Sequence, residues 1–251
     1  MSENERTPRA ALVTGASRRI GRSIAIDLAR HGWRVAVHYG SQAADAEAVQ
    51  AEIEAAGGRA IAIGADLEDA ATAGQLIEAC ARVLGPVTCL VNNASLFIED
   101  SIDTLDPAVW DRQFAVNLRA PVLLAKAFAE HLPPGLGGNV VNIIDQRVLA
   151  PTPDFLSYSL AKAGLLAATR MLAQALAPRI RVNGIGPGPV LPSVYQDDAA
   201  FAEEAGSTLL GRAVAPSEIA AAVRFILDAP SLTGQMIAID AGQHLAWRAQ
   251  P

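Results

Sequence analysis

Short apolar runs rich in β-formers alternate along the chain with longer stretches in which apolar residues recur every three or four positions. Ala10 to Thr14, Arg34 to Tyr39, Ala60 to Ala65, Val87 to Val91, Asn139 to Asp145, Arg181 to Ile185 and Met236 to Asp240 read as seven strands. Most are apolar at consecutive positions, which predicts strands buried on both faces. Helical periodicity fills the intervals near 20–31, 43–56, 68–84, 107–132, 155–177 and 216–228. Such alternation predicts a parallel sheet with helices on both faces, and right-handed crossovers make it doubly wound. No linker or low-complexity segment divides the chain, so residues 1–251 are expected to form one α/β domain. A long irregular region, about 186–211, mixes Pro and Gly with a candidate short helix in "DDAAFAEEAG". Loops of that length often cover binding sites, and this one is expected to be a substrate flap.

Composition narrows the class. With 251 residues, 51% of them hydrophobic, the chain can bury a sizeable core. The net charge of -6, with no long basic run, argues against a general nucleic-acid binder and leaves small anions to local groups. No apolar run approaches the roughly 20 residues of a membrane span. The N-terminal "MSENERTPR" is polar, so neither an anchor nor a signal peptide is expected and the cytoplasm is the default location. Cys80 and Cys89 fall in helical and strand patterns and read as small core residues. His31, His38, His131 and His244 are scattered without ligand spacing, which predicts no metal.

Candidate chemistry concentrates between Asn142 and Lys162. Tyr158 and Lys162 are four apart in a helical pattern, so they share one face a turn apart. A lysine held positive beside a tyrosine favours the phenolate and lowers the phenol from its usual pKa of about 10. Asp145, thirteen residues before the tyrosine, ends an apolar run and could be carried against the same phenol. The spacing alone also describes many solvated helix faces, so its meaning depends on context. Near the N-terminus, "ALVTGASRRIGRSIAIDLARHG" is a strand, a tight glycine turn and an amphipathic helix. Such a turn aims backbone N–H groups and the positive end of a helix at an anion, which suits a dinucleotide pyrophosphate. Its spacing is T-G-x-x-x-R-x-G rather than G-x-G-x-x-G. Arg18 and Arg19 open the helix where their charge opposes the dipole; they are either solvated or matched by an anionic ligand.

Together these motifs resemble the short-chain dehydrogenase/reductase family over nearly the whole chain. The resemblance rests on the Thr14-Gly15 turn closing at Gly21, "NNA" at Asn92 to Ala94, Asn117, the Tyr158/Lys162 pair, the glycine-flanked Pro187-Gly188, and the closing "TGQMIAIDAG". It implies a single-domain Rossmann fold with a seven-stranded sheet in the order 3-2-1-4-5-6-7, a nicotinamide dinucleotide cofactor and a homotetramer. Cofactor contacts are then expected from Gly15, Ser17, Arg18, Arg19, Ile20, His38, Tyr39, Ser41, Asp66, Leu67, Asn93, Ala94, Ser95, Tyr158, Lys162, Pro187 and Gly188. The second strand ends "VAVHYGSQ", without the acid that usually holds a free ribose 2′-hydroxyl. That absence, with Arg18 and the Ser41 hydroxyl, favours NADPH over NADH. Asp66 resembles the family's adenine contact, and an Asp there also suits the N-cap of the next helix.

Three departures narrow the substrate. The general family carries a glycine where this turn has Arg19, and a serine where it has Asp145. In ketone reduction the serine hydroxyl donates to an oxygen that gains negative charge. An ionised carboxylate cannot donate, and at ~4 Å with an effective dielectric near 20 it would repel that oxygen by roughly 4 kcal/mol, about a thousandfold in rate. A carbon–nitrogen double bond has the opposite need, since its nitrogen must gain a proton that Asp145 and Tyr158 could relay. The third departure, Ser95 and Phe97 in "NNASLF", offers an aromatic face for a flat ring, although a Phe past a strand is also common core filler. These features resemble the pteridine reductase branch, including bacterial dihydromonapterin and dihydrofolate reductases of this fold. That resemblance implies substrate contacts from Arg19, Ser95, Phe97, Asp145 and Tyr158, and a catalytic set of Asp145, Tyr158, Lys162 and Asn117. Lys162 would also hold the nicotinamide ribose, and Asn117 would support a water path to it. An NADPH-dependent reductase of a pterin or related heterocycle is expected. The rivals are a carbonyl reductase and, in another class, a cofactor-binding regulator without turnover. Trp247 in the tail could pack at a subunit interface or lie exposed.

Overall fold

Burial on both faces governs the central strands, as their apolar runs require. In the computed structural model, which describes residues 9–246, β1 (Ala10–Val13) is buried at every position. It pairs with β2 (Arg34–Tyr39) on one side and β4 (Cys89–Asn92) on the other, with Val13 beside Val37 and Val91. β3 (Arg59–Gly64), β5 (Gly138–Ile143), β6 (Ile180–Pro187) and β7 (Met236–Ile239) complete a seven-stranded parallel sheet in the order 3-2-1-4-5-6-7. The order reverses between β1 and β4, so their carboxyl ends open the crevice in which doubly wound sheets bind ligands.

Helices cover both faces. α1 (Arg19–Arg30), α2 (Ala43–Ala55) and α8 (Pro216–Asp228) bury Ile24, Leu28, Val49, Val223 and Ile226 against one face. On the other, α3 (Thr72–Leu84), α5 (Ala120–His131) and α6 (Leu156–Leu176) supply Leu76, Cys80, Leu124, Phe128 and Ala173. Cys80 and Cys89 are buried, and desolvation pushes both thiols up to about 12, the behaviour of inert core residues. α7 (Asp198–Gly206) is the short helix expected inside the irregular region, capped by Asp197, whose carboxylate accepts from Ala200 N at 2.8 Å. Trp247 and the polar residues before Arg9 lie outside the described residues.

Two expected helices are corrected. The stretch 107–132 is not one α-helix: α4 (Pro107–Phe114) passes into a π-helical turn, Ala115–Arg119, before α5. Pro121 has no N–H to offer the turn before it, and single π-helical turns of this kind occur inside α-helices, frequently at functional sites. The helix expected from 68 starts at Thr72, so Asp66 is not its N-cap; Asp66 Oδ1 instead accepts from Glu68 N at 2.8 Å in a tight turn.

Candidate active site

The loop after β1 is fixed from beneath by β4 and β2. Thr14 Oγ1 accepts from Asn93 N and Ala94 N, both at 2.9 Å, and the Asn93 amide donates to Thr14 O at 2.8 Å and Gly15 O at 3.0 Å. Gly15 takes φ +59, a left-handed conformation natural to glycine. Gly21 lets α1 press onto this turn: a Cβ there would stand 2.3 Å from Gly15 O and 2.4 Å from the Asn93 amide. We expect Gly21→Ala to cost about 1–3 kcal/mol of stability through this overlap and to weaken dinucleotide binding, checked by thermal unfolding and fluorescence titration. α1 starts with no side-chain cap and no acidic residue in its first turn, so its N-terminal N–H groups suit an anion. The exposed Arg18 adds positive charge at that end.

His38, expected as a cofactor contact, also braces the fold through its ring. Its Nδ1 accepts from Gly15 N and its Nε2 bonds Ala65 O, both at 3.1 Å, so both ring nitrogens are used. Burial lowers its pKa to about 4, leaving it neutral and unable to offer charge to a phosphate. Tyr39 packs its ring where Gly64 has no side chain.

At the end of β5 the three expected groups meet. Tyr158 donates from its hydroxyl to Asp145 Oδ2 at 2.7 Å, while Asp145 Oδ1 accepts from Arg147 N at 2.8 Å. Lys162, buried one turn along α6, donates to Ile143 O at 2.8 Å. Desolvation is the main cause that raises the Asp145 carboxyl above its ordinary range, against hydrogen bonds from Arg147 N and Tyr158. Lys162 is pulled down to about 8, again mainly by desolvation, with Asp145 acting in the other direction. Tyr158 lies well above its ordinary value, through burial first and the Asp145 charge second, so these outweigh the lowering expected from Lys162. The phenol's proton is therefore firmly held at neutral pH.

Asn117 sits in the π-helical turn with its side chain bonded to the segment after β4. Its Oδ1 accepts from Ser95 Oγ at 2.8 Å and Leu96 N at 3.1 Å, and its Nδ2 donates to Leu96 O at 2.7 Å. It therefore fixes the segment after β4. Pro121, four residues on, cannot donate to the Asn117 carbonyl as a helical residue would.

The short chain dehydrogenase family profile matches residues 9–202. The chain belongs to the short-chain dehydrogenase family. It is 49% identical to FolM alternative dihydrofolate reductase 1 from Brucella canis, solved in complex with NADP, with a TM-score of 0.93 over 96% of this chain and 95% of that one. An uncharacterized oxidoreductase of Methylorubrum extorquens is 40% identical, covering 92% of this chain and 96% of that protein. A 3-oxoacyl-[acyl-carrier-protein] reductase of Synechocystis is 33% identical, covering 94% and 97%. Within the short-chain dehydrogenase turn, Arg19 stands at φ +55, which explains why glycine is the general family's residue there. A non-glycine residue in that conformation costs about 1–2 kcal/mol. The guanidinium uses its position to donate to Pro192 O at 2.8 Å and Leu191 O at 3.0 Å, tying the turn after β1 to the irregular segment after β6.

The aromatic wall was only partly legible. Phe97 stacks face to face on Phe155 at 4.2 Å, and Tyr158 meets it edge-on at 4.7 Å. Tyr195, from the irregular segment after β6, lies against both phenylalanines, at 6.1 Å and 5.6 Å, and Arg147 sits over the Phe155 ring at 5.2 Å. A flat ligand stacking on Phe97 uses its other face or displaces Phe155. Phe155, Tyr195 and Arg147 were not foreseen, since only the fold brings their separate segments together.

Proposed function

We propose that the protein is an NADPH-dependent reductase of a pterin or a related C=N heterocycle. The observation that carries this reading is the 2.7 Å hydrogen bond from Tyr158 to Asp145 at the position where the general family has a serine. The likeness to Brucella FolM, bound to NADP, supports both substrate class and cofactor. The turn fits such a cofactor, with uncapped α1 N–H groups, close approach at Gly15 and Gly21, Arg18 at its edge and no acid between β2 and α2. A bound nicotinamide dinucleotide would supply the hydride. Tyr158 holds the proton that the substrate nitrogen needs, and its hydrogen bond to Asp145 is the path by which the pair hands that proton on. Burial favours the neutral carboxyl, so Asp145 can carry the proton in passing. Lys162, ammonium below about pH 8, stabilises the negative charge left on the pair. Phe97 offers a face for the ring and Ser95 a hydroxyl beside the phenol.

The second reading, a carbonyl reductase, is favoured by the Synechocystis 3-oxoacyl-[acyl-carrier-protein] reductase relative. The deciding assay follows NADPH oxidation with dihydrobiopterin, dihydromonapterin, dihydrofolate and a panel of ketones. Turnover of at least one dihydropterin or dihydrofolate is expected. Efficient ketone reduction with none of these would overturn the proposal.

A further inference from the structure

We infer that Asp100 is a positioning residue for Tyr158: from the segment after β4 it caps the helix that carries the phenol and locks that helix to the segment bearing Phe97. The inference rests on the reading of Tyr158 as proton donor.

α6 begins without a local cap. Its N-cap residue is Phe155, at φ +54, whose side chain can accept nothing. The first N–H groups of a helix need partners, and here they are buried. Asp100 supplies them from 57 residues away: its Oδ1 and Oδ2 accept from Ser157 N at 3.1 and 3.3 Å. Oδ2 also accepts from the Ser157 hydroxyl, and the Asp100 carbonyl accepts from Leu156 N at 3.3 Å. A carboxylate at this end is favoured by the helix dipole as well. Asp100 is 4% exposed, and Ser157 and Gln113 are fully buried, so water does not compete for these bonds.

A second strut closes the frame. The Gln113 amide donates to the Ser157 hydroxyl at 2.7 Å and to Ile98 O at 3.0 Å, and its oxygen accepts from Ile98 N at 3.4 Å. Ile98 adjoins Phe97 and Ser157 adjoins Tyr158, so the brace sets the spacing between aromatic face and phenol. Proton transfer needs the donor within about 3.2 Å of its target, and a misplacement near 1 Å can cost on the order of a hundredfold. None of the three bracing side chains is itself one of the reacting groups.

The test compares Asp100→Ala and Asp100→Asn with a Tyr158→Phe control, on whichever dihydropterin or ketone the wild-type enzyme turns over. Readouts are kcat and KM per folded molecule, the solvent deuterium isotope effect on kcat, NADPH affinity by fluorescence, and folded fraction by thermal unfolding. For Asp100→Ala we expect kcat to fall by about tenfold or more, with a larger solvent isotope effect and NADPH affinity unchanged within about twofold. Asp100→Asn keeps one acceptor oxygen and should lie between; if the alanine variant does not fold, this arm decides. Unchanged kcat and isotope effect per folded molecule, with Tyr158→Phe inactive, would overturn the role of Asp100 alone. Loss of NADPH affinity in parallel with turnover would overturn it too. Full turnover by Tyr158→Phe removes the proton-donor reading and the inference with it.

Discussion

Asp145→Ser is expected to lower kcat/KM on a dihydropterin by about 10²–10³-fold, the scale of a lost acid–base group, while ketone turnover stays equal or rises. The asymmetry follows from what each side chain can offer. In the protein both Asp145 oxygens accept, one from the Tyr158 hydroxyl and one from Arg147 N, so the group is arranged as an acceptor and proton carrier. A serine can donate to a developing alkoxide but carries no proton at neutral pH that it can release to a ring nitrogen. Desolvation, which raises the Asp145 carboxyl, makes it better suited to that release. The measurement is kcat/KM for both substrate classes on both proteins. Full pterin turnover in the serine variant would remove Asp145 from the mechanism.

What the chain revealed in advance tracks how local each cause is. β2 was legible at Arg34 to Tyr39 because consecutive burial leaves the apolar run Val35 to Val37, in a stretch bounded by Gly32 and Gly40. The meeting of Asp145, Tyr158 and Lys162 was legible because a strand end and one helix face bring them together. Features that depend on distant partners were not. The bracing role of His38 was not, since its bonds to Gly15 and Ala65 exist only once β1, β2 and β3 are paired. Pro121 is plain in the sequence, yet a π-helical turn at Asn117, rather than a helix end, precedes it. Asp100 carries no sequence signal at all, for the N–H group it serves lies 57 residues further on.

Tyr158→Phe is expected to lower turnover by about 10²–10⁴-fold, and its residual activity is the more informative quantity. The substitution removes the phenolic proton and also the hydrogen bond that holds the Asp145 carboxyl down. The Asp145 pKa should therefore rise further, keeping its own proton to a higher pH. If Asp145 passes protons to the substrate, the residual activity should persist to a higher pH than an ordinary carboxyl would allow. In the wild-type enzyme the limiting group is different. Lys162 sits at about 8 rather than its usual 10.5 because burial opposes its charge, so it is an ammonium at neutral pH and is lost above about 8. The phenol, raised by burial and by Asp145, keeps its proton through that window. Wild-type kcat/KM should accordingly decline above about pH 8 with the Lys162 titration. Lys162→Met should show low activity without that decline. A wild-type profile flat to pH 10 would mean that the ammonium does not stabilise the charge left by proton transfer, and the pair would have to act without it.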